Sequence, residues 1–440
     1  MERMVLSRHN ITARLKGSER SFIINPLARS ADLLDPETAG ELASGSYSDP
    51  KELADKGYLI DPEEESRRYR AAYLDFLEAR DHGQTQLFFV PWYSCNFACP
   101  YCYQEGYAPQ VGALRDEVIE AFFGYAEKKF VGRPVYVTLF GGEPLLPGES
   151  ARKSIQTFLR EAAARKLSVA VVTNGYTLRD YIDTLVLADI REVQVTLDGV
   201  GEVHDRRRPL HGGFPTFHTI VDGIDAALAR RIPINLRVVL DRENIVGLPE
   251  LARFSRDRGW TGDPLFKTQL GRNYELHTCQ QDSQRLYSRV ELYEKLSELI
   301  EQHSEILEFH RPAFSLAKFL WENGELPQPL FDSCPGCKTE WAFDFTGRIY
   351  ACTATVGKQG EELGTFYPHV SSRAELIEDW QQRDVTSVAA CRDCSLQLAC
   401  GGGCAVVART RHGKLNAPDC RPVKELLEMG MSLYFGKEDI

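Results

Sequence analysis

The stretch S-C-N-F-A-C-P-Y-C-Y, from Ser94 to Tyr103, decides the fold of this 440-residue chain. It contains Cys95, Cys99 and Cys102 in the spacing C-x3-C-x2-C. Thiolates suit iron–sulfur clusters and zinc, and a fully ligated four-iron cluster takes four cysteines. Three cysteines on one loop therefore predict a cluster with one iron open to another ligand, which a catalytic site needs and a structural site avoids. The simpler interpretation is a partial zinc site or three buried thiols.

The sequence around this loop alternates between strand and helix patterns from Gln86 onward. Six apolar runs typical of buried strands are separated by stretches typical of amphipathic helices. This order predicts an α/β fold with a parallel sheet and right-handed crossovers. Polar motifs follow the strands, and such folds place their functional sites at the carboxyl edge of the sheet. The predicted strands are Gln86–Tyr93, Val135–Phe140, Ser168–Val172, Val193–Leu197, Ile234–Leu240 and Pro264–Leu270.

The cysteine loop, residues 94–103, resembles the signature of the radical S-adenosylmethionine (SAM) enzymes. In that family three cysteines hold a [4Fe–4S] cluster whose open iron binds the amino and carboxylate groups of SAM. The reduced cluster then cleaves SAM to a 5′-deoxyadenosyl radical. The resemblance implies a partial (β/α)6 barrel, similar to a TIM barrel, and the order of predicted elements agrees. It also implies an external electron donor such as flavodoxin or ferredoxin.

Two segments after predicted strands resemble the SAM-binding motifs of this family. Gly141-Gly142-Glu143-Pro144 resembles G-G-E-P, in which the glycines let backbone carbonyls approach the SAM ammonium group. Thr196 stands in the place of the serine in S-x-D-G. Arg208 ends a stretch that resembles H-D-x-x-R. By resemblance Thr196 and Arg208 would contact the SAM carboxylate, which suits a guanidinium. The other interpretation of the three consecutive arginines, residues 206–208, is a solvated turn.

The resemblance implies three further SAM contacts. The backbone of Tyr101 and the side chain of Leu240 would flank the adenine. Asn174 is a candidate for contacting the ribose or the methionine moiety.

Eight further cysteines lie between residues 334 and 420, and eight thiols fill two four-cysteine sites. Their spacing resembles the SPASM extension of radical SAM enzymes, which carries two auxiliary [4Fe–4S] clusters, so that the chain would hold three clusters. The rival interpretation is a pair of structural zinc sites. Cys279 lies outside every pattern and is predicted to be a buried thiol. By resemblance the nearer cluster would be held by Cys334, Cys337, Cys352 and Cys404, and the outer one by Cys391, Cys394, Cys400 and Cys420.

The chain divides into four predicted regions. These are an α+β prelude (1–82), the partial barrel (83–275), a helical connector (276–328) and a cysteine-rich SPASM domain with a C-terminal helix (329–440). In the prelude, Ser21–Asn25 is predicted to be a strand, and Asp35 an N-cap with proline at the first helical position. The prelude weakly resembles the winged-helix-like peptide-binding domains of some peptide-modifying radical enzymes. A helical cap packed on the barrel is the alternative.

Composition and charge restrict the partners of the protein. A formal charge of −11 argues against a general nucleic-acid binder, because phosphate contacts need a basic surface. No apolar run approaches the ~20 residues that span a membrane, and the first ten residues lack the apolar core of a signal peptide. We therefore expect a cytoplasmic protein without membrane or nucleic-acid partners. In that compartment, twelve cysteines indicate metal sites more often than disulfides.

The resemblance points to an enzyme that oxidises or cross-links side chains in a peptide. One branch forms thioether or carbon–carbon cross-links in a ribosomally made precursor peptide. The other is anaerobic sulfatase maturation, which makes formylglycine from Cys or Ser. In that group an aspartate is expected after the cysteine of G-x4-C, whereas Thr353 follows Cys352 here. The third hypothesis is a non-catalytic iron–sulfur or zinc protein. No general base stands out, because acidic residues are too numerous to rank.

Overall fold

A computed structural model describes residues 4–104, 112–272 and 284–436 of the chain. Cys279, predicted to be a buried thiol, lies outside the described residues. The central feature is a sheet whose strands run in the order β11-β10-β9-β8-β7-β6-β12-β13-β14-β15. Its first six strands are parallel to one another and form the predicted partial barrel. They are β6 (Thr85–Val90), β7 (Val135–Leu139), β8 (Val169–Thr173), β9 (Ile190–Thr196), β10 (Ile234–Leu240) and β11 (Phe266–Arg272).

Helices connect these strands, as the alternation in the sequence predicts. One helix was not predicted: the residues of the three-arginine segment lie in or beside a short helix rather than in a turn. Two 3-10 turns, Ile245–Gly247 and Trp260–Gly262, flank the last helix. The helices are α4 (Asp116–Lys129), α5 (Glu149–Ala164), α6 (Leu178–Leu185), α7 (Glu202–Arg207), α8 (Phe217–Ala229) and α9 (Leu248–Asp257).

The predicted strand boundaries shift where proline interrupts the hydrogen-bond ladder. The run predicted as Gln86–Tyr93 ends as a strand at Val90, and Pro91 follows. The run predicted from Pro264 begins as a strand at Phe266. Proline has no N–H to donate, so it is disfavoured inside a central ladder.

Alternation along each barrel strand separates two faces. Leu87 and Phe89 on β6, like Leu236 and Val238 on β10, pack into the core shared with the helices. The intervening residues face the inside of the barrel. Here the inner faces of β9, β10 and β11 carry mainly polar side chains, which is unlike a barrel filled by apolar layers.

The C-terminal region contributes a strand to the barrel sheet, which the sequence analysis did not predict. β12 (Glu340–Asp344) pairs in parallel with β6, with Glu340 opposite Gln86 and Asp344 opposite Val90. A short antiparallel extension continues the sheet. It consists of β13 (Arg348–Tyr350), β14 (Gly364–Thr365) and β15 (Ser371–Ser372).

The remaining helices form the connector and surround the C-terminal cysteines. The connector is predicted to be helical, and its described part, from residue 284, contains three helices. These are α10 (Arg289–Gln302), α11 (Ile306–Phe309) and α12 (Ala317–Asn323). The helices around the cysteines are α13 (Ala374–Gln381), α14 (Ala389–Arg392), α15 (Gln397–Cys400) and α16 (Ala405–His412), followed by the C-terminal helix α17 (Val423–Phe435).

The prelude combines two small sheets with three helices that each begin at an Asp-Pro pair. The side chains of Asp35, Asp49 and Asp61 accept hydrogen bonds from backbone N–H groups of the first turn, which stabilises a helix start. β1 (Val5–Leu6) pairs with β5 (Leu59–Ile60), and β2 (Ile11–Arg14), β3 (Ser21–Asn25) and β4 (Ser30–Leu34) form an antiparallel sheet. The helices are α1 (Pro36–Ser44), α2 (Pro50–Asp55) and α3 (Pro62–His82).

The prelude packs extensively on the C-terminal half of the chain. Ile11 and Phe22 of the antiparallel sheet share a core with Leu427 of α17. On α3, the hydroxyl of Tyr69 donates to Gln397 over 2.8 Å, and that of Tyr73 donates to Asp384 over 2.7 Å. The prelude therefore supports the region that carries the second group of cysteines.

Among the helices of the described residues, none combines the length and the apolar character needed to cross a membrane.

The buried side chain of His9 predicts that the stability of the protein depends on pH. Its ring stacks on Tyr69 at 5.6 Å between centroids, and burial together with the charge of Arg8 lowers its pKa to about 4. The unfolded chain takes up this proton near the ordinary histidine pKa of about 6.5. Stability is therefore lost as the pH falls below that value.

We expect the free energy of unfolding of the wild type, relative to His9→Phe, to fall by about 2 kcal/mol from pH 7 to pH 5. Urea denaturation of both proteins at the two pH values measures this difference. Phenylalanine keeps the aromatic contact and cannot titrate. A difference that is the same at both pH values would contradict the prediction.

Candidate cluster and SAM-binding site

The cysteine loop follows β6 at the carboxyl edge of the barrel sheet. An isolated bridge between Phe97 and Leu210 ties it to the segment after α7. The thiols of Cys95, Cys99 and Cys102 are all partly buried. The Phe97 N–H donates to the Cys95 Sγ over 3.4 Å, and the Cys102 N–H donates to the Cys99 carbonyl over 3.1 Å. The three predicted ligands thus lie together in one compact turn.

The surroundings of these thiols disfavour their charged form when no metal is bound. Burial, reinforced by the charge of Glu143 and of the other two thiols, raises the pKa of Cys95 to about 12. Burial also raises the pKa of Cys99. A metal must displace these protons, since cysteine binds metals as the thiolate. Three partly buried thiols in one loop fit the ligand type of an iron–sulfur cluster.

Gly142 brings the G-G-E-P motif into direct contact with the cysteine loop. A Cβ at this position would lie 2.2 Å from the carbonyl oxygen of Ser94 and 2.4 Å from that of Tyr93. Any side chain would therefore push the loop away. The adjacent Glu143 N–H donates to the Ser94 carbonyl over 2.9 Å. Glycine at 142 thus fixes the distance between the motif and the loop.

The carboxylate of Glu143 joins this motif to the turn after β8. It is buried and accepts from the Thr173 hydroxyl over 2.6 Å, the Asn174 N–H over 2.6 Å and the Leu145 N–H over 2.8 Å. Burial raises its pKa to about 7, although these hydrogen bonds favour the ionised form. The carboxylate is thus occupied by protein partners, which leaves the backbone of the motif to approach a ligand.

Arg207 lies at the centre of a buried ionic network. Its Nη1 donates to both carboxylate oxygens of Asp241 at 2.8 and 2.9 Å, and its Nε donates to Asp198 over 3.2 Å. The Asp198 carboxylate also accepts from the Tyr101 hydroxyl and, over 2.9 Å, from the Val239 N–H. Burial opposes ionisation of Asp198, but the charges of Arg207 and Arg208 hold its pKa below the usual value.

The solvated-turn interpretation of the arginine segment is therefore wrong for two of its residues. Arg206 is exposed, whereas Arg207 is buried and Arg208 is partly buried. The helical turn of α7 points these neighbours in different directions, because consecutive helical residues do not share a face.

Arg208 presents an unsatisfied donor at the predicted position for the SAM carboxylate. Its Nη1 donates to the Tyr101 hydroxyl over 2.8 Å, and its Cζ lies 5.7 Å from the centre of the Phe97 ring. Its Nε is buried and has no hydrogen-bond partner among the described residues. Leaving a buried charged donor unpaired is costly. The residues present therefore fit an anionic group bound beside the cysteine loop.

His204, which contacts the Asp198 backbone, has a second unpaired buried nitrogen in this region. Its Nδ1 accepts from the Asp198 N–H over 3.2 Å, while its Nε2 is buried without a partner in the described part of the chain. Burial, with the charge of Arg208, lowers its pKa to about 3, so the ring is neutral near pH 7.

Of the other residues predicted to contact SAM, the structure places some near the cysteine loop or on the inner face of the barrel, but not all of them. Thr196 ends β9 on its inner face and is buried. Asn174 reaches the cysteine loop, with its Nδ2 2.7 Å from the Asn96 Oδ1 and 3.9 Å from the Cys95 Sγ. Leu240 is buried in the core between strands and helices, on the face opposite to Thr196. Its placement therefore gives no support to a contact with adenine.

For Cys352, Cys337 and Cys391, the thiols whose charges raise the pKa belong to the same predicted set of four. Burial raises the pKa of Cys352, and Cys334 and Cys404 are among the nearby groups that raise it further. Burial raises the pKa of Cys337 as well, and the charge of Cys334 raises it further. In the second set, burial raises the pKa of Cys391 to about 11, and Cys400, Cys394 and Cys420 add to this effect. These neighbours are the residues that the resemblance groups together.

The two sets differ in exposure. Cys334, Cys337 and Cys352 are buried, whereas Cys394 and Cys420 are exposed. The eleven cysteines of the described ranges form no disulfide. Within those ranges, no three His, Cys, Asp or Glu side chains are close enough to share a single metal ion.

A partly buried carboxylate, that of Glu340, lies beside Thr353, where an aspartate is expected. The Thr353 N–H donates to the Glu340 side chain over 3.1 Å, and burial raises the pKa of Glu340 to about 7. Nothing in the sequence singled out Glu340, because its approach to Thr353 depends on the unpredicted strand β12.

Comparisons with known proteins agree with this geometry. Residues 89–255, which include the cysteine loop, the G-G-E-P motif and the arginine segment, match the model of the Radical SAM superfamily. The chain contains a radical SAM domain. Its family implies a [4Fe–4S] cluster and SAM as cofactors.

Sequence relatives of this chain include GTP 3′,8-cyclases. A probable GTP 3′,8-cyclase of Methanopyrus kandleri is 34% identical over 161 residues, which cover 36% of this chain and 48% of that protein. A GTP 3′,8-cyclase of Rhizobium leguminosarum is 30% identical over 176 residues, which cover 38% of this chain and 46% of that protein. The chain thus spans about half the length of the curated relatives it matches.

Solved structures share the fold over a longer part of the chain. Native anSMEcpe with bound AdoMet has a TM-score of 0.62 at 16% identity, and the match covers 81% of this chain and 100% of that one. Streptococcus suis SuiB bound to precursor peptide SuiA has a TM-score of 0.52 at 14% identity, and covers 96% of this chain and 99% of that one. At these identities the likeness is one of fold.

Proposed function

We propose that this radical SAM protein is a SPASM-type maturase that oxidatively modifies a ribosomally synthesised peptide, by a thioether or carbon–carbon cross-link. The observation that supports the proposal is the position of the thiols: three lie in the loop after β6, and the charges that act on Cys352 and Cys391 in the C-terminal region come from thiols of the same predicted set of four. The first set leaves one iron of a cubane open for SAM, and the other two sets fully ligate two more cubanes.

The chemistry of a cross-link matches this arrangement. When bound, the cofactors supply a 5′-deoxyadenosyl radical that removes a hydrogen atom, and an acceptor for one further electron. Closing the new bond also releases a proton from the substrate, so two hydrogens are lost for each link. The residues for these groups are those described above, with Arg208 and Thr196 for SAM and eight cysteines for the auxiliary clusters. External donors such as flavodoxin or ferredoxin would reduce the protein.

A peptide substrate is supported by the part of the chain outside the barrel. The fold likeness to SuiB, whose structure contains a precursor peptide, extends over 96% of this chain and so includes most of the prelude. The prelude itself has three strands in an antiparallel sheet and packs on the cysteine-rich region. A unit of this kind offers surface for holding a peptide beside the barrel.

Two other enzymatic functions remain as alternatives, each with a specific observation, and a non-catalytic role is the third alternative. The sequence relatives favour a nucleotide substrate such as GTP, but their match covers less than two fifths of this chain. Formylglycine formation expects an acidic residue after Cys352. Thr353 stands there, although the nearby carboxylate of Glu340 could serve in its place. A non-catalytic iron–sulfur protein would require that SAM is never cleaved.

Anaerobic co-expression with short peptides encoded beside the gene tests the proposal. We expect the mass of one such peptide to fall by two hydrogens per link, and fragment ions to locate the bond. An Arg208→Lys variant should retain iron but form less product, because lysine cannot donate two parallel hydrogen bonds to a carboxylate.

The outcomes of this experiment separate the alternatives. A peptide that gains formylglycine would move the protein to the sulfatase branch. Unmodified peptides combined with turnover of GTP would replace the peptide proposal with a nucleotide substrate. If no 5′-deoxyadenosine forms under any condition, the result would support a non-catalytic iron–sulfur protein instead.

A further inference from the structure

One charged side chain on the inner face of the barrel has no partner in the described part of the chain. Beside it, Lys267 and Glu192 form an ion pair with 2.5 Å between Nζ and Oε2. Gln194 donates from Nε2 to the Gln269 Oε1 over 2.8 Å. Arg237, on β10 between these strands, is partly buried and forms neither a hydrogen bond nor an ion pair there. A charge that loses part of its hydration on folding is stabilised by a partner of opposite charge.

The register of the strands puts Arg237 at the level of the SAM-binding candidates. Arg237 pairs with Thr196 on β9 and with Gln269 on β11. All three side chains point into the barrel, since Leu236 and Val238 on either side of Arg237 belong to the outer core. A substrate group bound at Arg237 would therefore lie beside the site where SAM is expected.

The guanidinium leans toward β11 and the carboxyl edge of the sheet. An added Cβ at Gly271 would lie 3.3 Å from the Arg237 Nη2 and 3.4 Å from its Nε. Because residue 271 is glycine, there is space for the Arg237 guanidinium at this position. Arg208, in contrast, contacts Tyr101 and Phe97 of the cysteine loop. The side chains of Arg237 and Arg208 therefore lie on different sides of the barrel opening.

We infer that Arg237 binds a carboxylate of the peptide substrate, either an Asp or Glu side chain or the C-terminal carboxylate. The inference rests on the proposed function. A guanidinium and a carboxylate form two parallel charge-assisted hydrogen bonds. A triphosphate carries several charges and calls for several cations, whereas the neighbouring Lys267 is neutralised by Glu192. A single available guanidinium matches a single carboxylate.

The test uses the reconstituted holoenzyme and a synthetic copy of the peptide found by co-expression. We expect Arg237→Gln to raise the KM for that peptide by roughly 10- to 100-fold, which corresponds to the loss of charge-assisted hydrogen bonds. SAM affinity and 5′-deoxyadenosine formation without peptide should stay at wild-type levels. Fluorescence anisotropy of the labelled peptide on SAM-free holoenzyme should show the same loss of affinity, without any turnover.

Matched variants identify the group that Arg237 binds. Lys267→Gln, which removes a cation already paired, should change the peptide KM little. In the peptide, amidation of the C terminus or one Asp→Asn or Glu→Gln change should reproduce the effect of Arg237→Gln and add nothing to it. That non-additivity identifies which carboxylate is bound.

Three results would overturn the inference. Arg237→Gln could leave peptide affinity unchanged while the wild type modifies the peptide. It could instead weaken SAM binding, which would assign Arg237 to the cofactor. Every carboxylate change in the peptide could also add fully to the Arg237 effect. Failure of the proposed function is distinguishable from these, because the wild type would then modify no peptide at all.

Discussion

Replacing Cys95 with alanine is expected to abolish 5′-deoxyadenosine formation and to remove about four of about twelve irons per chain. Cys95 lies in the three-thiol set, where burial and neighbouring charges raise its pKa to about 12 and only a bound metal favours the thiolate. With two thiols left, the loop cannot hold a cubane that also binds SAM. Iron and sulfide analysis of anaerobically reconstituted protein, with chromatography of the SAM products, measures both losses.

Cys394→Ala is the matched control because it removes an exposed thiol of the outer set. We expect it to lower the iron content by about four as well, to keep SAM cleavage and to lose peptide product. Zinc instead of iron and sulfide in the C-terminal sets would contradict the three-cluster proposal. Retained 5′-deoxyadenosine in Cys95→Ala would contradict the assignment of the loop.

Replacing Arg207 with leucine is expected to lower the free energy of unfolding by about 3–5 kcal/mol, because it leaves buried carboxylates without their partner. The Asp198 and Asp241 side chains are fully buried, and Arg207 donates to both. The change should also weaken SAM binding, since Asp198 holds the Tyr101 hydroxyl that contacts Arg208. Urea denaturation and equilibrium binding of SAM measure these two effects.

Arg206→Leu provides the comparison within the same segment. Arg206 is exposed, and surface substitutions usually change stability by no more than about 0.5 kcal/mol. Equal destabilisation by the two variants would mean that the network around Arg207 contributes nothing of its own. A large loss of SAM affinity with unchanged stability would instead make Arg207 a direct ligand.

The sequence was informative where short-range patterns determine the structure. The six barrel strands follow from apolar runs with helices between them, and the Asp35-Pro36 helix start of the prelude depends only on neighbouring residues. The cysteine loop and the G-G-E-P motif lie together as their positions after consecutive strands predict. These features depend on contacts that periodicity and capping rules describe well.

The rest depends on contacts between distant parts of the chain. β12 is a five-residue strand, and its partner β6 lies far away in the sequence. A local sequence pattern could therefore not predict this pairing. The burial of Arg207 depends on carboxylates from two other strand ends, Asp198 and Asp241. Likewise, the absence of a partner for Arg237 among the described residues becomes visible only when the inner face of the barrel is assembled. Propensity and spacing carry no information on such tertiary pairings.

The pairing of β12 with β6 also constrains how the protein is made. On the ribosome β6 emerges roughly 250 residues before the strand that covers its free edge. Until then the backbone N–H and carbonyl groups on the uncovered edge of β6 are exposed, which favours association with other chains. The edge of the barrel sheet at β6 therefore stays uncovered until residues 340–344 have been made. Expression at a slow rate with a chaperone should improve the yield of intact protein.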